Sequence, residues 1–124
     1  KKKRQLLKNL ALISRKLHLS GVNHRDYYLC HFHVRKDLDF SIQNIFLIDL
    51  HRAQIRRKVP LRWITKDIGG LYHSAMDLSL SEMDCYRFLK IYFDHRKFLH
   101  LLHLIFLSFL LMVCEPNPLY FDKI

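Results

Sequence analysis

Two carboxylates and a histidine stand out for what their types and spacing can do. Asp26 closes the tripeptide His24-Arg25-Asp26, His31 follows five residues later, and Asp49 ends an apolar run in Ile48-Asp49-Leu50-His51. A carboxylate within hydrogen-bond reach of a hydroxyl can orient it and take its proton as it attacks. A second carboxylate, with a further ligand beside it, can hold a divalent cation against the charge of a polyphosphate. The chemistry on offer is phosphoryl transfer to a hydroxyl. The bland alternative is that Asp26 caps a turn and Asp49 ends a strand.

The elements around these residues decide whether they can meet. Residues 30–34 and 42–48 are short apolar runs separated by Arg35-Lys36-Asp37-Leu38-Asp39, the pattern of a β-hairpin. With the turn centred near Asp39-Phe40-Ser41, His31 falls roughly opposite Asp49, and Asp26 lies in the loop before the first strand. Upstream, Leu6, Leu7, Leu10, Ile13, Ser14 and Leu17 recur at helical spacing, which predicts an amphipathic helix over 4–19 with Gly21 as its stop. Residues 22–28 are irregular and read as loop. Pro60 breaks the next stretch, and Thr65-Lys66-Asp67 is expected to open a helix running to about Asp77. Ser79-Leu80-Ser81-Glu82 has the form of a capping box, with Glu82 reaching back to Ser79, for a further helix to about Phe93. Gly69-Gly70 near the start of the preceding helix costs about 1 kcal/mol per glycine relative to alanine. Such a pair implies close approach of another backbone. Residues 98–114 carry no Lys, Arg, Asp or Glu, and Glu115-Pro116-Asn117-Pro118 ends the run. It is shorter than the roughly 20 residues a membrane span needs, and His100 and His103 also speak against a span. A core helix is the simplest reading, with interfacial membrane contact next.

Composition narrows the class. Half of the 124 residues are hydrophobic, which excludes a disordered tail. The formal net charge of +10 points to an anionic partner: nucleic acid, an acidic membrane surface or a phosphorylated substrate. Aromatics interleaved with basic residues raise RNA binding, but no stacking-sheet motif accompanies them. Three cysteines without a CxxC pair argue against a disulfide framework and fit a reducing compartment. Cys30, His31, His33 and His51 match no usual zinc spacing. No secretory signal follows Lys1-Lys2-Lys3-Arg4, and a chain opening on Lys inside a helical pattern reads as one whose beginning lies elsewhere.

The spacing itself carries a resemblance. Kinase-fold enzymes place His-Arg-Asp four residues before an Asn, then a short hairpin and Asp-Phe-Gly. Here His31 stands at the Asn position and Leu50-His51 replaces Phe-Gly. These departures are usual in lipopolysaccharide core heptose(I) kinases, and residues 21–32 resemble their catalytic loop. Residues 47–56 resemble their metal-binding segment. Lys58-Val59-Pro60, Arg62-Trp63, Lys66-Asp67-Ile68-Gly69-Gly70-Leu71-Tyr72, Ser74, Met76-Asp77, Asp84 and Arg87-Phe88 continue the likeness in order, to about Phe93.

The resemblance implies an α+β, mainly helical fold: a protein-kinase-like C-terminal lobe over 1–97 with one β-hairpin carrying the site. Its parts would be a catalytic loop at 21–34, a metal segment at 45–52 and helices at 66–77 and 80–93, with 98–124 as an apolar helix and tail. Asp26 would be the catalytic base, and Asp49 would hold Mg²⁺ with His31; His31 as a structural histidine stays open. His24 and Arg25 would support the loop, and Asp67 would accept hydrogen bonds from its backbone. Arg52, Arg56 and Arg57 are candidate phosphate or substrate contacts, or else a solvated basic face. The implied activity moves the γ-phosphate of ATP to a heptose of the lipopolysaccharide inner core, in the cytoplasm at the inner membrane, with no nucleic-acid partner. No glycine-rich phosphate loop or strand lysine precedes the first helix, so the small ATP-binding lobe is expected to be missing and these residues inactive alone. The alternatives are a same-fold kinase for another sugar, or an inactive, basic, membrane-associated remnant.

Overall fold

The computed structural model describes residues 2–35, 39 and 41–94. The apolar run at 98–114 and most of the hairpin turn lie outside the described residues.

Helix α1 (Lys2–Leu19) presents Leu10, Ala11, Ser14 and His18 as a buried stripe at helical spacing. It packs along α3 (Glu82–Phe93), and α2 (Leu61–Ser74) completes the set. Leu10 and Ala11 from α1, Leu71 from α2, and Phe88 and Tyr92 from α3 form one core. Tyr27, which belongs to no helix, is inserted among them and is 1% exposed. The loop expected to carry chemistry is therefore anchored in the centre of the core.

Two small antiparallel sheets flank that loop. β2 (Phe32–Val34) pairs with β3 (Ile45–Leu47) in the expected hairpin, with Phe32 opposite Leu47. Its strands are shorter than expected, because Leu29–His31 and Ile42–Asn44 form 3₁₀ turns. The register also differs by one residue. His31 stands opposite Ile48, whose N–H donates to the His31 carbonyl at 3.0 Å, and Asp49 then turns back in the left-handed region at φ 62°. The second sheet, β1 (Val22–Asn23) with β4 (Gln54–Ile55), corrects the reading of 22–28 as plain loop. Two-residue strands carry no alternation from which to recognise them. Gly21 makes this pairing possible: at φ 81°, a Cβ there would lie 1.9 Å from the Arg56 carbonyl oxygen. The Arg56 N–H donates to the Gly21 carbonyl at 2.7 Å.

Both later helix starts differ from expectation. α2 opens directly after Pro60, four residues before Thr65, because the Pro60 carbonyl accepts from Trp63 and Ile64. Proline has no N–H to satisfy at a helix entry, so it starts the helix rather than delaying it. The helix also ends earlier than Asp77, at Ser74, with Met76–Leu78 continuing as a 3₁₀ turn. Ser79 sits in the left-handed region at φ 50°, and the capping box forms one step on, between Ser81 and Asp84. Both serines have an acid three residues later; the fold selects the one whose acid also meets Lys3 and Arg87. Of the glycine pair, only Gly70 meets another backbone, with the Tyr27 carbonyl oxygen 3.3 Å from where a Cβ would lie. Gly69 has nothing within 4 Å.

Candidate active site

The loop from His24 to Tyr28 is held by one buried acid. Asp67, in the second turn of α2 and 0% exposed, accepts the His24 N–H at 2.7 Å on one oxygen and the Arg25 N–H at 2.9 Å on the other. His18 donates through Nε2 to the same carboxylate at 3.1 Å, and its Nδ1 accepts from the Tyr92 hydroxyl at 2.6 Å. Burial pushes the Tyr92 phenol upward, so it keeps the proton this bond requires. The three-helix core thus positions the loop through a continuous polar chain from α3 to α1 to α2. Two N–H groups satisfied at adjacent residues hold Arg25 at φ 77°, a strained position for a residue with a Cβ.

That twist sends Arg25 and Asp26 in different directions. Arg25 turns toward Trp63, with its guanidinium carbon 5.5 Å from the ring centroid. Asp26 turns toward the segment after β3, where its Oδ1 accepts from Arg52 at 2.8 Å. The Asp26 side chain is 14% exposed, enough for its other oxygen to meet a solute. Tyr27 donates through its hydroxyl to Ser14 at 2.7 Å, and Ser14 in turn donates to the Leu10 carbonyl. The Leu29 N–H donates to the Ser74 hydroxyl at 2.8 Å, tying the far end of the loop to α2.

His24 and His31 join the loop to the Asp49 segment. His24 is fully buried, and its Nε2 donates to the Ile48 carbonyl at 2.9 Å. The rings of His24 and His31 stack with centroids 5.8 Å apart. His31 donates through Nδ1 to the Asp26 carbonyl at 2.7 Å, which leaves Nε2 facing Asp49 Oδ2 at 3.5 Å. A hydrogen bond at one ring nitrogen fixes the tautomer and orients the other as a ligand. In the neutral ring, the Nε2 lone pair and the Asp49 carboxylate confront each other, an arrangement that a cation or proton between them relieves. Adjacent ligands of an octahedral Mg²⁺ at its usual bond lengths are separated by about 3 Å, so this pair would close by about half an ångström to hold one. The Asp49 carboxyl is held below the usual carboxylate range, first by its hydrogen bond from His51. It is therefore available as an anion. Among the described residues no group of three or more His, Cys, Asp or Glu forms a complete metal cage. Mg²⁺ does not need one, since phosphate oxygens and water commonly complete its shell.

The expected residues do not all converge. Asp26, His31, Asp49 and Arg52 are joined by direct contacts, with the His24 ring stacked on His31. Arg56 donates through Nε to the Asn23 side-chain oxygen at 3.1 Å and through a second nitrogen to Gln54, contacts that brace β1 against β4. Arg57 is exposed. Cys30 and His33 are exposed apart from any metal-ligand cluster. Sequence reasoning missed His18, Tyr92 and the Arg52–Asp26 pair. His18 was legible in part, since a histidine four residues after Ser14 on an apolar helix face demands a buried partner.

Known proteins resemble this chain in sequence and fold. The family model for the lipopolysaccharide kinase (Kdo/WaaP) family matches residues 1–92. Lipopolysaccharide core heptose(I) kinase WaaP of Escherichia coli K12 is 50% identical over 95 residues, covering 73% of this chain and 35% of that protein. The Pseudomonas aeruginosa protein of the same name is 46% identical over 93 residues, with the same coverage. A solved structure described as WaaP in complex with acyl carrier protein superposes with a TM-score of 0.70 at 38% identity. That match covers 86% of this chain and 47% of the solved one. The chain spans about a third of the length of the curated relatives it matches. The matched region takes in α1, the loop, both sheets and nearly all of α3, so the chain belongs to the lipopolysaccharide kinase (Kdo/WaaP) family.

Proposed function

We propose that this chain carries the catalytic loop and metal-binding segment of an ATP-dependent sugar kinase acting on a heptose of the lipopolysaccharide inner core. One observation supports it above the others: His31 bonds the Asp26 backbone and faces Asp49, beside a loop whose backbone is clamped by the buried Asp67. Asp26 is the base. Its Oδ1 is held by Arg52, which leaves Oδ2 to accept a hydrogen bond from the attacking hydroxyl and then its proton. Asp49 and His31 are the residues that would hold Mg²⁺, which when bound offsets the negative charge of the triphosphate. His24, Arg25 and Asp67 keep the base and the ligands in register. The glycine-rich loop that cradles phosphates has no counterpart among the glycines of this sequence, which stand only at 21, 69 and 70. Turnover therefore requires a nucleotide-clamping lobe joined to these residues, and the 124 residues alone are inactive. The acceptor places the enzyme at the cytoplasmic face of the inner membrane, where the excess of positive charge favours an anionic surface.

The test is phosphate transfer from ATP to heptose-containing and heptose-free acceptors, with the chain joined to a family nucleotide lobe. Asp26→Ala and Asp49→Ala should each reduce turnover by at least about 10³-fold, in the range of removing a base or a metal ligand. Full turnover in the Asp26→Ala protein overturns the assigned base. Equal rates on both acceptors would redirect the reading to another sugar.

A further inference from the structure

Trp63 is the sole tryptophan of the chain, and four cations surround it. The charged groups of Arg62, Lys66, Arg25 and Arg56 lie 5.1, 5.2, 5.5 and 5.7 Å from its ring centroid. Arg57 and Lys58 are exposed just before this helix. Among the described residues, none of these six cations forms an ion pair with a carboxylate. Arg56 meets only the neutral side chains of Asn23 and Gln54. The one acid nearby, Asp67, is buried and committed to backbone N–H groups and His18. Cations gathered around one ring without a counter-ion repel one another, and the ring faces offset only part of that repulsion. The Trp63 indole N–H is enclosed and has no hydrogen-bond partner among the described residues. A cluster of cations without counter-ions is the environment an anionic oxygen satisfies.

Its position gives the cluster meaning. Arg25 precedes the candidate base Asp26 directly, with its guanidinium toward Trp63 while Asp26 meets Arg52. We propose that the cations around Trp63 form a subsite for a carboxylate or phosphate group of an anionic sugar acceptor, holding it beside the hydroxyl presented to Asp26. The proposal rests on the kinase reading for its role, but the binding itself does not. A sugar bearing an anionic substituent a residue or so from the reacting hydroxyl would span both. Arg25, Arg62 and Lys66 are then specificity-determining residues, and Arg56 contributes charge from its place just after β4.

Trp63 reports on its own site, so binding is read from its fluorescence without any turnover. The chain is titrated with a carboxylate-bearing oligosaccharide, with the same oligosaccharide after its carboxylates are methyl-esterified, with inorganic phosphate, and with phosphatidylglycerol vesicles. The expected result is a saturable change with the acidic oligosaccharide, weakened by salt and absent with the esterified one. Arg62→Gln with Lys66→Gln, both exposed, should weaken that binding at least about tenfold, since each removes a charge-assisted contact. Binding is read without turnover, so a failure of the kinase reading leaves this result intact. Equal response to the esterified oligosaccharide, or no effect of the paired substitution, overturns the subsite. A response to phosphate alone reduces it to a general anion site and overturns the sugar assignment. A response to vesicles but not to the oligosaccharide assigns the cations to a membrane headgroup and overturns it as well.

Discussion

Replacing Asp67 by Asn tests whether the loop is held as described. The carboxylate serves three donors, at 2.7, 2.9 and 3.1 Å, from two backbone N–H groups and a histidine, in a site with no exposure. An amide of the same shape has one oxygen. If that oxygen takes the His24 N–H and the His18 ring, the amide NH₂ points at the Arg25 N–H. If it flips, two donors are lost instead of one. A hydrogen bond to a charged group contributes about 1.5–3 kcal/mol, and a buried donor left unpaired costs about 1–3 kcal/mol. One lost bond and two donors facing each other give a destabilisation of about 2–4 kcal/mol. Arg25 adds to this, because its φ of 77° is maintained by that same N–H contact. With the urea dependence of a small domain, about 1–3 kcal/mol per molar, the unfolding midpoint should fall by roughly 1–2 M. The assay is urea unfolding followed by far-ultraviolet circular dichroism. Tyr92→Phe is the companion: it removes one hydroxyl donor to His18 and should cost only about 1 kcal/mol. An Asp67→Asn midpoint within about 0.2 M of the parent, or a larger effect for Tyr92→Phe, would refute the clamp.

Three further outcomes follow from the geometry. Gly21→Ala should destabilise by at least about 2 kcal/mol in the same unfolding assay, because a left-handed residue acquires a Cβ that collides with the Arg56 carbonyl. Gly69→Ala should stabilise by about 0.5–1 kcal/mol, as expected for an unobstructed helical glycine, while Gly70→Ala should gain less or lose, since its Cβ would press on the Tyr27 carbonyl. The Asp84 carboxyl is lowered to about 2, first by its hydrogen bond from Lys3 and then by the Ser81 N–H. A depressed carboxylate stabilises the fold above its unfolded value near 3.8, and that contribution disappears as pH falls toward 2. Asp84→Asn should therefore flatten the fall in unfolding midpoint between pH 4 and pH 2; an unchanged slope would show that the Lys3 contact contributes nothing.

Much of the site was legible along the chain because its members are close in sequence or joined by one hairpin. Asp26 and His31 are five residues apart, and the apolar runs on either side of residue 39 had one simple way to pair. The helix over α1 and the stop at Gly21 followed from period and residue type alone. Contacts across long separations were less accessible. Asp67 was singled out only through the family likeness, since an acid in a helix looks the same whether it caps, pairs or braces a distant loop. Arg52 read as one member of a basic face until the fold placed it on Asp26. The capping box had two candidates two residues apart, and local sequence could not separate them; Lys3, 81 residues from Asp84, did so.

What the sequence determined by itself is the chemistry available: which side chains can take a proton, hold a cation or carry charge, and the short-range geometry that 3.6- and 2-residue periods impose. What only the tertiary structure decided is where those groups point. The one-residue register of the hairpin, the left-handed turns at Arg25 and Asp49, and the approach of Arg25 to Trp63 all depend on packing between separate elements of the fold. Such contacts form because burying Tyr27 among three helices and satisfying two backbone N–H groups on Asp67 outweigh local preference. No window of neighbouring residues contains that balance.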